Sequence, residues 1–335
     1  MGVDSDLTII WAGIIAFAIF AYVVMDGFDL GIGILFPTFE VGRERDRAMN
    51  SIAPVWDGNE TWLVLGGGGL FAAFPLAYAV ILPATYPLVI IMLLGLVFRG
   101  VAFEYRWRDP AHRRFWDGAF SAGSLAAAMA QGMTLGALIQ GIEVVDRAYA
   151  GSWFDWLTPY TLLCGLGVVA GYALLGSAWL IWKLDGVGQA HARKLAKRAA
   201  IATLLLMTAV SLYNVFLNAD YAARWLTAPE IWFAAPVPVL TALVALALWR
   251  ALQTERQSKP FWLALGLFAL GMAGLGITMW PNIIPPDVTI WEAAAPERSQ
   301  VFMLVGVAII MPLILAYTAW AYWVFRGKVG DEGYH

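Results

Sequence analysis

The sequence predicts an all-α polytopic membrane protein with nine transmembrane helices. Three observations predict it. The 335 residues are 61% hydrophobic and 13% charged, with a mean hydropathy of +0.69; soluble domains are nearer half apolar and a quarter charged. Nine segments reach the roughly 20 apolar residues that a hydrocarbon core of about 30 Å requires. The basic residues fall in alternate connections between those segments. No strand-like alternation competes, so a helical bundle is the class that satisfies its backbone in lipid.

The first span, 8–36, ends in VVMDGFDLGIG and carries Asp26 and Asp29. Its leader holds Asp4 and Asp6 and no basic residue, and the run is too long for a signal-peptide core. The second span, 54–75, opens on WDGNETWL and contains Gly66 to Gly69. In a membrane such small residues let backbones approach, so the run reads as a helix contact surface, with a narrow passage for a small gas as the other reading. The third span, 78–99, ends on Arg99. The fourth, 117–141, opens on a second WDG, Trp116 to Gly118, which is either chance or an old helix-pair repeat. The fifth, 159–182, holds the chain's one cysteine, Cys164, which reads as a small buried apolar residue and leaves no intrachain disulfide. The last four are 199–217, 231–250, 261–281 and 301–325.

Of the 21 basic residues, 18 lie in the connections 38–53, 99–116, 183–198 and 250–260 and in the tail. Arg147, Arg224 and Arg298 occupy the opposite set. The positive-inside rule then places the N-terminus outside, in the periplasm, and the C-terminus in the cytoplasm, with an odd number of spans. Many of the 17 Trp fall near span ends, as an interfacial belt does. The outside connections 142–158 and 282–300 are short, and the second, rich in Pro, reads as ordered turns. No soluble domain is predicted, and a net charge of −3 marks no nucleic-acid partner.

The informative residues are the acids. Counting back from Pro75 puts Trp56, Asp57 and Glu60 in the first turns of the second span. Asp57 and Glu60 have the D-x-x-E spacing of a capping box. Asp26 and Asp29, three residues apart, share a helix face and sit roughly 10 to 15 Å from the cytoplasmic end of the first span. No cap explains them there, and a charge at a helix centre costs about 2.5 to 3.5 kcal/mol on the insertion scale. Four carboxyls thus gather in the cytoplasmic half of the first two spans. Arg99 is the one basic residue placed near that depth. Three readings stand: a proton path from the cytoplasm, a buried structural network, and a cation site of carboxylate oxygens.

His112, His191 and His335 all fall in cytoplasmic connections or the tail, so no His is predicted at membrane depth to hold a haem. No Cys cluster, phosphate loop or nucleophile constellation appears, and no metal site is expected. From its own residues the chain moves protons or small apolar molecules and does not transfer electrons. A stand-alone proton- or cation-coupled transporter would use the same carboxyls.

VVMDGFDLGIG, SIAPVWDGNETWL with its Gly run, LVFRGVAFEYR, PNIIPPDVTIWEAAA and LAYTAWAYWVF resemble subunit II of the cytochrome bd quinol oxidases, from the first span to the ninth. WDGNETWLVLGGGGLFAAFPLAYA looks most like the cyanide-insensitive branch. The resemblance implies two four-helix bundles, over 1–145 and 146–285, and a ninth, peripheral helix with a tail over 286–335. It implies a haem-free subunit beside a subunit I that binds two haems b and one haem d, with small single-helix subunits often present. The complex oxidises quinol, reduces O2 to water and is electrogenic through cytoplasmic proton uptake. A quinone or lipid bound between the helices is a further expectation. By resemblance Asp57 looks like the carboxyl on the inter-subunit proton path, and Asp26 and Asp29 match the DGFD pair. Glu60 falls where some members have Gln, Arg99 of FRG is the charge partner of these carboxyls, and Trp62 lies along an oxygen route.

Overall fold

The computed structural model describes residues 3–330; His335 lies outside the described residues. In chain order the helices are α1 (Val3–Leu35), α2 (Arg43–Asn50), α3 (Trp56–Ala73), α4 (Pro75–Arg108) and α5 (Arg113–Gln140). They continue with α6 (Pro159–Lys183), α7 (Gly186–Leu217), α8 (Ala219–Leu226) and α9 (Ile231–Ala234). The last four are α10 (Pro236–Gln253), α11 (Lys259–Met279), α12 (Ile290–Ala293) and α13 (Glu297–Val324). Among the described residues eight helices are long and apolar enough to cross a membrane. The helix α3 has 18 residues but begins with Asp57, Asn59 and Glu60 and then four Gly, which keeps its mean hydropathy low.

Among the described residues strand structure is confined to two small antiparallel hairpins, β1 (Val144–Val145) with β2 (Ala148–Tyr149), and β3 (Asn282–Ile284) with β4 (Val288–Thr289). They order the connections predicted to lie outside. Just after β4, Thr289 and Glu292 form a capping box that starts α12. A second box, Thr158 with Thr161, starts α6, and Pro159 stands at its first position, where a missing N–H costs nothing.

Two connections differ from expectation. The basic segments 99–116 and 183–198 are largely helical, because α4 runs on to Arg108 and α7 begins at Gly186. Lys, Arg and Ala are good helix formers, so the helices continue past their apolar stretch. Asp109 then ends α4, and the Trp116 indole N–H and the His112 ring hold its carboxyl below the usual carboxylate range.

The chain folds as antiparallel pairs, α4 with α5, α6 with α7 and α10 with α11, around α1. The largest core runs through both halves: Phe28 stacks on Trp179 at 4.4 Å, and Phe261 meets both rings edge-on. Glycine lets the backbones touch where helices cross. A Cβ on Gly31 of α1 would collide with the Tyr172 carbonyl of α6, and one on Gly176 would come within 2.6 Å of the Gly31 carbonyl carbon. Gly31→Ala is therefore expected to cost about 1–3 kcal/mol through overpacking, read as a lower melting temperature of the solubilised assembly. The predicted contact run Gly66 to Gly69 is divided. Gly66 and Gly69 face Ile19 and Ile15 of α1 at van der Waals distance, while Gly67 and Gly68 meet nothing. Cys164 is buried and free, as expected.

Residues 325–329 fold back on the end of α6. The Val329 N–H donates to Lys183 O at 3.0 Å, Lys328 Nζ to Leu184 O at 2.6 Å, and Arg47 bridges Val329 O and Asp185.

Candidate functional site

The site forms where α1, α3 and α4 meet. Its inward positions on α3 follow the helix period: Asn59, Trp62, Gly66 and Ala73 are buried. From α1 come Asp26 and Asp29, both fully buried, and from α4 comes Arg99, 1% exposed. Arg99 donates through Nη1 to Asp26 Oδ1 at 2.5 Å and through Nη2 to Glu60 Oε2 at 2.9 Å. Its guanidinium lies 6.0 Å from the Trp56 ring centre, and Trp56 stacks on Phe103. Such a forked, charge-assisted pairing is what holds a buried guanidinium in place.

Asp29 is held differently. Asn59 Nδ2 donates to its Oδ2 at 2.8 Å and to Met25 O at 3.3 Å. The Tyr322 hydroxyl, from α13, donates to Asn59 Oδ1 at 2.8 Å and so fixes which way the amide points. Asp26 Oδ2 and Asp29 Oδ1 are buried with no hydrogen-bond partner. Deeper in the bundle, Gln131 donates to the Tyr22 hydroxyl at 2.7 Å and accepts from the Tyr172 hydroxyl at 2.6 Å.

The sequence thus named four residues that the fold joins, Asp26, Asp29, Glu60 and Arg99. The other two are placed apart from that cluster. Asp57 is exposed on the outward face of α3, in line with Thr61, Val64, Gly68 and Phe71. The capping box does not form: α3 is capped by Val55 without a side-chain bond, because Glu60 is turned to Arg99. Trp62 is 2% exposed, packed edge-on against Phe17 of α1 at 5.8 Å. Among the described residues no group of three or more His, Cys, Asp or Glu could hold a metal ion. Asp26 and Glu60 are both engaged with Arg99 instead.

Sequence reasoning missed Asn59, Tyr322 and a second buried cluster. Arg106, which the sequence places in the connection 99–116, is 1% exposed. It donates through Nε to Asp117 Oδ1 at 2.5 Å and through Nη2 to Asp46 Oδ1 at 2.8 Å. Arg45 binds the other Asp117 oxygen at 2.7 Å, and Arg113 also reaches Asp46. A signal existed: Arg99 and Arg106 are seven residues apart, two turns on one face of α4.

Comparison with known proteins gives the frame for this geometry. A family model for the cytochrome bd terminal oxidase subunit II matches residues 7–325. The chain is 31% identical to the cytochrome bd-I ubiquinol oxidase subunit 2 of Escherichia coli (strain K12), over 97% of this chain and 96% of that one. It is 27% identical to the cytochrome bd ubiquinol oxidase subunit 2 of Bacillus subtilis (strain 168), over 98% of each. Its fold is similar to a chain of the bd oxidase from Geobacillus thermodenitrificans, with a TM-score of 0.77 at 18% identity, covering 96% of this chain and 100% of that one. None of these is a stand-alone transporter, so that reading of the carboxyls is not favoured. The chain belongs to the cytochrome bd terminal oxidase subunit II family and is a multi-pass inner-membrane subunit of a quinol-oxidising terminal oxidase.

Proposed function

We propose that Asp26, Asp29, Glu60 and Arg99, entered past Asp57, carry protons from the cytoplasm towards the oxygen chemistry of subunit I. One observation carries the reading. A single guanidinium bonds the buried Asp26 and the half-buried Glu60 and also acts on the buried Asp29, and buried charge must be balanced. The cluster therefore has room for protons. Two buried carboxylate oxygens without partners give those protons somewhere to sit. Asp57 stands one turn from Glu60 on the outward face of α3, where subunit I would complete the route.

The same reading assigns two haems b and haem d to subunit I, with quinol and O2 as substrates of the complex. Among the described residues neither histidine is placed to hold a haem in the membrane: His112 and His191 stand outside the apolar stretches, His191 bonded to Thr38. Small single-helix subunits and a bound quinone are further parts of the proposal. So is an oxygen route past Trp62, supported by the small-residue face that Gly66 and Gly69 make above it.

In this reading α3 is the ninth span, with the N-terminus periplasmic and the C-terminus cytoplasmic. It runs antiparallel along α1, Asn59 beside Met25, Gly66 beside Ile19 and Gly69 beside Ile15, and so shares the depth of an apolar helix. The division into bundles at 1–145 and 146–285 with a peripheral 286–335 belongs to the proposal too, as does the cyanide-insensitive branch, which a cyanide titration of oxygen uptake tests.

For the proton role, Asp57→Asn is the experiment. Haem-normalised oxygen uptake is expected to fall on the order of 10-fold, about 1.4 kcal/mol on the limiting step, with haem content unchanged. Loss of haem and of subunit I along with turnover would make Asp57 a structural residue instead.

A further inference from the structure

Between α1, α6, α11 and α13 lies a cleft of about 320 Å³. Its walls are largely rings: Trp179, Trp182, Phe261, Trp262, Tyr322 and Trp323. Trp262 is 59% exposed and Trp323 56%, so the cleft opens on the flank of the protein. Two cations line it, Lys183 and Arg326, and no acid does. Lys183 Nζ donates to Phe325 O and Gly327 O, which leaves one of its three hydrogens. Arg326 lies over the Trp323 ring at 4.5 Å and spends one N–H on Trp323 O, which leaves four.

We propose that this cleft binds an anionic phospholipid from the leaflet at the basic ends of the helices. Its acyl chain lies along the rings, and its phosphate meets Arg326 and the remaining Lys183 hydrogen. Charge and placement choose the occupant. Aromatic, apolar walls suit hydrocarbon, and two cations without an opposing carboxylate suit a phosphate that carries a net negative charge. Basic pockets between transmembrane helices recognise such headgroups, and each Lys or Arg contributes about fivefold in affinity.

The cleft also touches the carboxyl cluster. Tyr322 lines it and donates to Asn59, which donates to Asp29; Met25 lines it and accepts from Asn59. A seated lipid therefore presses on the two residues that position the bracket around Asp29. This coupling rests on the proton-path reading above; the binding site does not.

The test uses the intact oxidase complex, stripped of native lipid and reconstituted into nanodiscs of phosphatidylcholine with or without phosphatidylglycerol. Lipid retained by the complex is counted by native mass spectrometry. The wild type is expected to retain phosphatidylglycerol in preference to phosphatidylcholine, and Arg326→Gln to lower that retention about fivefold. Trp262→Glu, which sets a carboxylate at the mouth, is a second variant expected to lower it. Equal retention of the two lipids, or retention unchanged in both variants, overturns the site. The readout is bound lipid, so full turnover in Asp57→Asn would sink the proton path and leave the site standing. Tyr322→Phe separates the coupling: it keeps the lipid but loses the dependence of turnover on phosphatidylglycerol. Unaltered dependence in that variant overturns the coupling.

Discussion

Arg99→Leu is expected to abolish quinol-dependent oxygen uptake and to destabilise the complex by about 3–5 kcal/mol, the usual cost of removing one partner of a buried pair. The size follows from what remains. Asp26 would lose the guanidinium bond to Oδ1, and its Oδ2 already lacks a partner. Glu60 would lose its bond as well. Arg99→Lys retains a charge but not the fork that spans two carboxyls from two helices, so an intermediate loss of turnover is expected. The double variant Arg99→Leu, Asp26→Leu separates structure from chemistry. An apolar replacement of a buried pair is often neutral or stabilising, so this variant is expected to regain thermal stability and to stay inactive. Recovery of oxygen uptake in the double variant would show that the pair only holds helices together. Haem-normalised uptake and a melting curve on the same preparation decide it.

The second large effect is expected at the other buried arginine. Arg106→Leu removes the donor that joins Asp117 on α5 to Asp46 on α2. Arg45 and Arg113 keep one bond to each acid, so the loss should fall at the lower end, about 3 kcal/mol. It should appear as a lower melting temperature and lower yield, with turnover per haem unchanged in the complex that survives. The contrast is the test of the two clusters. One has more carboxyls than a single guanidinium can balance and leaves carboxylate oxygens free; in the other, three guanidinium groups meet two acids. A fall in turnover per haem in Arg106→Leu would place the second cluster on the proton route.

Much of this was legible in the sequence. Hydrophobic length found every long helix, and burial logic picked Asp26 and Asp29 because nothing polar belongs at their depth without a reason. Glu60 and Arg99 followed from counting residues to a membrane end. The misses share a cause. Span length marks where apolar residues stop, not where a helix stops, so the sequence puts Arg106 in a connection although α4 carries it inward. The capping motif at Asp57 and Glu60 was real as a spacing, but a tertiary partner, Arg99, took the Glu60 side chain away. Asn59 and Tyr322 were invisible because neither is unusual where it stands; only the packing of α13 against α3 makes them partners. The weak echo of WDG marks two acids with different neighbours. Asp117 is engaged by two arginines, and Asp57 looks outward.

The reach of that last contact bears on how the protein is made. Tyr322 meets Asn59 across 263 residues of chain. A ribosome delivers α1, α3 and α4 well before α13. The clasp that orients the Asn59 amide towards Asp29 therefore closes only once α13 has been made and has packed against α3. A chain halted before that helix holds the acids and the arginine but not the latch.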